Sequence, residues 1–297
     1  MEEQQVHQTK NWYDRYYKII LLIPVIILLA CLVYLFTFYR AHNDFVFRDT
    51  SLLGGTTITI QGDFNAAELE SALKISFNDV QVRAISDLTS GKHLAVIVSS
   101  SAAPELLTPE IEKALNIKLT EENSSTEFSG SALGTNFYRQ LIFALLISFV
   151  LMSIVIFILF RTFVPCIAVI FAVSADIIMS LAVIDYFEIR ISAAGIAAFL
   201  MLIGYSVDTD ILLTTRVLRK KEGSLNERIY GSFKTGIFMT TTALLAVLPA
   251  FFIVTSLPDS FRQIFLILSL GLFADIINTW LTNASILRWY AGWKGMK

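Results

Sequence analysis

Asp176, Asp208, Asp210 and Asp275 each lie inside a long, predominantly apolar stretch of the chain. An ionised Asp near the centre of a bilayer-spanning helix costs about 2.5–3.5 kcal/mol, so such side chains usually face a bundle interior or a wet cavity and mark ion pathways. The chemistry open to them is proton handling, because a carboxyl moved between two environments takes up a proton in one and releases it in the other. One elementary charge crossing 100 mV supplies about 2.3 kcal/mol, which biases a two-state rearrangement by more than tenfold. The sequence shows no other energy source. It has no G-x-x-x-x-G-K-[ST] loop and no His/Cys/Glu metal cluster, and His7, His42 and His93 fall outside the apolar stretches. No cofactor or metal is expected; the proton gradient is the implied energy source. The competing reading is end-capping for Asp208 and Asp210, and a structural hydrogen bond to a neighbouring helix for Asp176 and Asp275.

Helical phase separates the candidates. Residues two apart differ by about 200° around a helix, so Asp208 and Asp210 cannot face one partner. Upstream of Asp208, on its face, lie Gly204, Ala197 and Ala193, a stripe of small residues that lets another helix approach closely. This stripe places Asp208 in the tightest part of the bundle. Asp210 has Ser206 and Thr214 as its neighbours. Gly271, Asp275, Asn278 and Thr282 share one face of the last apolar stretch, while Thr240, Thr241 and Thr242 can relay protons or, more commonly, bond the i−4 carbonyl.

The elements that position these groups follow from composition. The chain has 297 residues, 55% hydrophobic and only 16% charged, against about 25% charged in a soluble chain. This excludes a disordered protein, a collagen-like fibre and an ordinary soluble core. A net charge of −2 leaves no nucleic-acid footprint, so nucleic acid is not an expected partner. Cys31 and Cys166 sit within apolar runs and read as small hydrophobes. A spanning helix needs roughly 20 apolar residues. Six windows qualify, at 19–38, 141–160, 164–184, 191–213, 235–255 and 261–281.

Charge orients them. Lys10, Arg15 and Lys18 precede the first span, Arg161 lies between the second and third, and Arg216, Arg219, Lys220, Lys221, Arg228 and Lys234 crowd the loop after the fourth. Arg288, Lys294 and Lys297 follow the sixth, whereas the short loops on the other side hold only Arg190 and Arg262. The positive-inside rule makes both termini cytoplasmic. The expected organisation is a cytoplasmic N-terminus (1–18), a first transmembrane helix (19–39), an extracytoplasmic domain (40–139), a five-helix transmembrane region (140–285) and a cytoplasmic C-terminus (286–297), in a cell membrane.

Within the outside region, 56–61, 80–86 and 93–99 alternate as strands, 66–75 and 104–115 have helical patterns, Asn65 is a candidate N-cap, and 117–120 is expected as the last strand. The order β-α-β-β-α-β is the ferredoxin-like split βαβ. This region carries 13 acidic and 7 basic side chains, read as a solvated surface.

Several stretches resemble one family. Gly54-Gly55-Thr56, before the first outside strand, resembles the Gly-Gly-Thr motif of the SecD/SecF protein-export family, with two glycines allowing a sharp turn into the sheet. Gly204-Tyr205-Ser206-Val207-Asp208-Thr209-Asp210, running on to Thr215-Arg216-Val217, resembles the family's fourth-span motif, with Arg216 matching its cytoplasmic arginine. The wording of this span is most similar to the archaeal form, and one span, an outside domain and five further spans match the SecF branch, half of the larger RND transporter superfamily.

The resemblance implies an α-helical membrane fold of six transmembrane helices, an RND/SecDF-like half-transporter with an extracytoplasmic α+β ferredoxin-like domain. It implies a non-enzymatic subunit of protein export, powered by protons, with a SecD-like subunit, the Sec translocon channel, the translocating polypeptide and membrane lipid as partners. Asp208 would take the place of the SecD-type span-four aspartate. Bacterial members read Asn-Asp-Thr where this chain reads Asp208-Thr209-Asp210, and Lys234 stands where they have an arginine. Two other readings compete. An RND-like exporter of lipids or small molecules shares the fold and acids, and an intramembrane aspartyl protease would use two Asp residues but lacks its usual Gly-x-Gly-Asp context.

Overall fold

A computed structural model describes residues 12–86, 93–219, 223–253 and 259–295; His7, Lys10, Lys220, Lys221, Lys297 and the end of the fifth apolar window lie outside them. Six helical segments among these residues are long and apolar enough to cross a bilayer. The chain opens with α1 (Trp12–His42), passes through a short helix α2 (Thr50–Leu53) into a domain of four strands and two helices, and returns to the bundle.

In the domain the order is β1 (Gly55–Gln61), α3 (Ala66–Leu73), β2 (Gln81–Ser86), β3 (His93–Ser100), α4 (Pro104–Leu115) and β4 (Ser124–Ser129). The sheet order is β2-β3-β1-β4, with every pair antiparallel and Ile58 opposite Val98 in β3 and Thr126 in β4. This is the ferredoxin-like arrangement expected from the pattern. Asn65 caps α3, accepting from the backbone N–H groups of Ala67 (3.1 Å) and Glu68 (3.4 Å). Pro104 opens α4, where its missing N–H costs nothing, and Asn116 closes it in the left-handed region. One sheet face packs Ile58, Ile60, Val96 and Val98 against Leu69, Leu73, Leu107 and Ile111.

The last strand is corrected. Residues 117–120 do not pair; Ile117 and Leu119 tuck against the domain core from a loop, held by the Leu119 N–H donating to the Glu112 carboxylate (2.8 Å). The paired strand is the polar Ser124–Ser129, whose side chains are mostly exposed and show no apolar alternation. Its backbone finds β1 because that edge is open.

Gly54 and Gly55 make the crossing from bundle to sheet. Gly54 has φ +80° and a Cβ there would lie 2.5 Å from Ser131 Cα; Gly55 has φ +143° and its Cβ would lie 2.3 Å from the Ser100 carbonyl oxygen. Only glycine fits both. Thr56, buried, donates to the Ala102 carbonyl at 2.6 Å.

The bundle continues with α5 (Ser131–Phe160), α6 (Phe163–Tyr186), α7 (Ala193–Arg219), α8 (Leu225–Ile253), α9 (Asp259–Ile277), a π-helical turn (Asn278–Asn283) and α10 (Ala284–Trp293). Helices α6, α7 and the α9–α10 rod form its interior, with α1, α5 and α8 peripheral. Arg161, left-handed at φ 53°, turns α5 into α6. Backbone bonds tie the segment after α1 to the α6–α7 loop, Asp49 N–H to the Ile191 carbonyl (2.9 Å) and Ile191 N–H to the Phe47 carbonyl (2.6 Å).

Candidate functional site

Helices α6, α7 and α9 bring Asp176, Asp210 and Asp275 into the bundle interior, each with no exposed surface. Asp176 accepts from the Ser206 hydroxyl (2.5 Å) and from the Asn278 amide (2.7 Å). Asp210 accepts from the Asn283 amide at 2.7 Å, and the Thr279 hydroxyl lies 2.9 Å from the same oxygen. That hydroxyl is also 3.0 Å from Asp275 Oδ1. Thr209 completes the set, its hydroxyl 3.0 Å from Asp275 Oδ1 and 2.9 Å from the Ser206 carbonyl.

The π turn makes this possible. It follows α9 without a break and widens the helix, so that Asn278, Thr279, Thr282 and Asn283 are all buried. Such turns recur at functional sites because they re-aim side chains. Close packing of α7 on α9 is set by Gly271, where a Cβ would meet Leu202 Cδ1 at 2.3 Å.

Proton counting gives the cluster its chemistry. Thr279 has one hydroxyl proton and two carboxylate oxygens within hydrogen-bond range. With both carboxylates ionised, one contact would set lone pair against lone pair. Both contacts become hydrogen bonds when Asp210 and Asp275 hold one proton between them. No Lys, Arg or His among the described residues forms an ion pair with any of the three acids. Among the described residues, Asp210 Oδ2, Thr214 Oγ1 and Asn283 Oδ1 find no hydrogen-bond partner though buried, extending the polar seam along α7 and the π turn.

The sequence candidates separate on this frame. Asp176, Asp210 and Asp275 come together. Asp208 does not join them: it is exposed, on the outer side of α7, and Gly204 in the same stripe has open space where a Cβ would stand. The expectation that Asp208 sits in the tightest packing is therefore corrected. The interior stripe is Ser206, Asp210 and Thr214, all buried. Lys234 is exposed on α8 and makes no ion pair with any of the acids. Arg216 ties α7 to α8 through the Gly231 carbonyl (2.7 Å) and the Thr235 hydroxyl (3.1 Å). Thr240 is buried, while Thr242 donates to the Met239 carbonyl, one turn back on its own helix. Sequence reasoning passed over Thr209, Thr279 and Asn283; polar residues inside otherwise apolar helices were the available signal. It also passed over Asp185, buried in the last turn of α6. Among the described residues, no group of three or more His, Cys, Asp or Glu is placed to hold a metal.

Fold and site together define a multi-pass membrane protein with a ferredoxin-like domain between its first and second spans and an acid cluster in its bundle. The same architecture occurs in SecDF, a translocon-associated membrane protein from Thermus thermophilus, at TM-score 0.72 and 18% identity over 96% of this chain and 39% of that one. The family described as "Protein export membrane protein SecD/SecF, C-terminal" matches residues 111–293. The chain is 36% identical to the protein-export membrane protein SecF of Methanothermobacter thermautotrophicus over 92% of both chains. Against SecF of Pyrococcus furiosus it is 36% identical over 92% of this chain and 90% of that one. A shorter match, 48% identical, to SecF of Methanolacinia petrolearia spans 54% of this chain and 57% of that one. The chain belongs to the SecD/SecF protein-export family, on its SecF side, a family of transport accessory proteins and not of enzymes.

Proposed function

We propose that this chain promotes protein export as one half of a heteromeric membrane unit, with a SecD-type subunit supplying the other half and proton movement through the Asp210–Thr279–Asp275 contact supplying the energy. The unit works beside the Sec channel on the emerging polypeptide, with both termini of this chain in the cytoplasm. The observation that carries the reading is the hydroxyl of Thr279 within hydrogen-bond range of two buried carboxylates that form no ion pair among the described residues. A proton gained or lost there changes the number of hydrogen bonds joining α7 to the π turn, and so the preferred packing of those helices.

Asp208 supports the need for a partner. A carboxylate facing lipid from the middle of a span carries the cost of charge in hydrocarbon. A second subunit packed on α7 over Gly204 would cover it and supply hydrogen-bond donors.

The test is export of a secreted reporter in cells that carry the SecD-type partner. Asp210→Asn and Asp275→Asn are each expected to slow export while membrane levels of the protein stay normal. Unchanged export in both variants contradicts the reading.

A further inference from the structure

Two Asn-x-Ser triplets occur in the chain, Asn123-Ser124-Ser125 and Asn283-Ala284-Ser285. A triplet of this form, with any residue but proline in the middle, is the acceptor for N-linked glycosylation. The modification is bulky and hydrated, so it belongs at a surface that a transferring enzyme can reach. Three residues match by chance often enough that the surroundings of each triplet must decide.

The fold separates the two. Asn283 and Ser285 are buried where the π turn meets α10, and the Asn283 amide donates to Asp210 at 2.7 Å. Asn123 stands in the domain instead, in the turn that leads into β4. It is partly exposed, and Ser125, two residues on in an edge strand of the sheet, is exposed. The turn holds the asparagine by both ends of its amide. Asn123 Oδ1 accepts from the Thr120 N–H (2.8 Å), and Nδ2 donates to the Lys118 carbonyl (2.9 Å). The Ser124 hydroxyl adds a bond to the Thr120 carbonyl (2.8 Å). An asparagine amide nitrogen carries two hydrogens. Replacing one by a sugar leaves the other for Lys118 and leaves Oδ1 for Thr120. A glycosylated Asn123 therefore keeps both bonds, and the turn keeps its shape.

We propose that Asn123 is a site of N-linked glycosylation on the extracytoplasmic face of the protein. The proposal rests on the orientation put forward above, with both termini in the cytoplasm and the domain outside. The co-reactant is an oligosaccharide carried on a lipid phosphate. Asn123 Nδ2 attacks its anomeric carbon, so that a C–N bond forms and the C–O bond to phosphate breaks. The lipid phosphate leaves with that electron pair, the amide proton passes to a base of the transferring enzyme, and nothing is oxidised or reduced.

The test is peptide mass spectrometry on the full chain purified from its native membrane. The peptide holding Asn123 is expected to carry the added mass of a glycan, and the peptide holding Asn283 to carry none. Ser125→Ala keeps Asn123 and its two bonds but removes the hydroxyl of the triplet, and is expected to abolish the added mass, as is Asn123→Gln. Ser124→Ala, at the middle position, is expected to leave it in place. Orientation is read separately, from Glu105→Cys on the exposed side of α4, probed in intact cells with a membrane-impermeant maleimide against the unsubstituted chain. Labelling from outside together with an unmodified Asn123 overturns the proposal and leaves the orientation standing. Labelling only after the cells are opened overturns the orientation and the proposal with it. An added mass that survives Ser125→Ala, or one found on Asn283, also overturns the proposal.

Discussion

In the domain, Ile58, Ile60, Val96, Val98, Leu107 and Ile111 are buried, while Asp63, Glu68, Glu105 and Glu121 are exposed. In the bundle, Asp176, Asp210, Asp275, Asn278 and Asn283 are buried, while Phe143, Leu151, Phe238 and Leu245 are exposed. One chain thus uses opposite interiors, because its halves meet different solvents. Water rewards the domain for hiding hydrocarbon. Lipid gives hydrocarbon no reason to hide, so what the bundle must hide is its polar groups, which need one another. A polar interior held by hydrogen bonds can also be rearranged by one proton, which an interior of Ile and Val cannot.

Placing the same side chain in both interiors should break the symmetry most sharply. Ile58→Asn leaves an amide without partners in the domain core and removes a buried Ile, an expected loss of about 3–5 kcal/mol, visible as fast hydrogen exchange across β1 and β3. Asp275→Asn leaves a polar group among hydrogen-bonding partners, and is expected to shift bundle stability by less than about 1 kcal/mol by thermal unfolding in detergent.

The junction between the halves is the next most sensitive point. Gly55→Ala brings a methyl against the Ser100 carbonyl at a φ that other residues rarely adopt. The expected cost is about 1–3 kcal/mol, seen as faster protease cleavage between domain and bundle. A smaller effect follows at the cap of α3, where Asn65→Ala removes the acceptor for two backbone N–H groups. About 1 kcal/mol of domain stability should go with it.

The smallest effect is a pH dependence confined to the water-facing half. Partial burial favours the neutral form of Asp79, but hydrogen bonds from Ser101 and Ser100 outweigh it and hold the carboxyl below the usual range. A depressed folded-state pKa contributes stability above the unfolded value and loses it as pH falls through the folded one. Acidification below the ordinary carboxylate range should therefore loosen the domain at β3, and Asp79→Asn should flatten that acid limb and lower stability at neutral pH.

Much of this architecture was legible in the residues. Long apolar windows fix the spans because no soluble helix tolerates so wide a greasy surface, and alternation marks β1, β2 and β3 because one face of each meets α3 and α4. β4 was hidden: Ser124–Ser129 pairs through its backbone and carries no apolar signature, whereas Ile117 and Leu119 do and remain in a loop. Helical phase correctly put Asp208 and Asp210 on different faces but did not say which face is inside. The stripe of small residues beside Asp208 pointed inward as a surface for close helix packing, yet the buried stripe is Ser206, Asp210 and Thr214. The π turn over Asn278–Asn283 was invisible to a regular helical period.

The most direct measurement of the central claim is infrared difference spectroscopy of the full chain in a bilayer at neutral pH, reading the C=O band of a protonated carboxylic acid. The account expects such a band, lost or shifted in both Asp210→Asn and Asp275→Asn, because it has the two acids share one proton through the Thr279 hydroxyl that lies within hydrogen-bond range of both. A protonated-carboxyl signal that neither substitution alters, or no such signal at all, would contradict it.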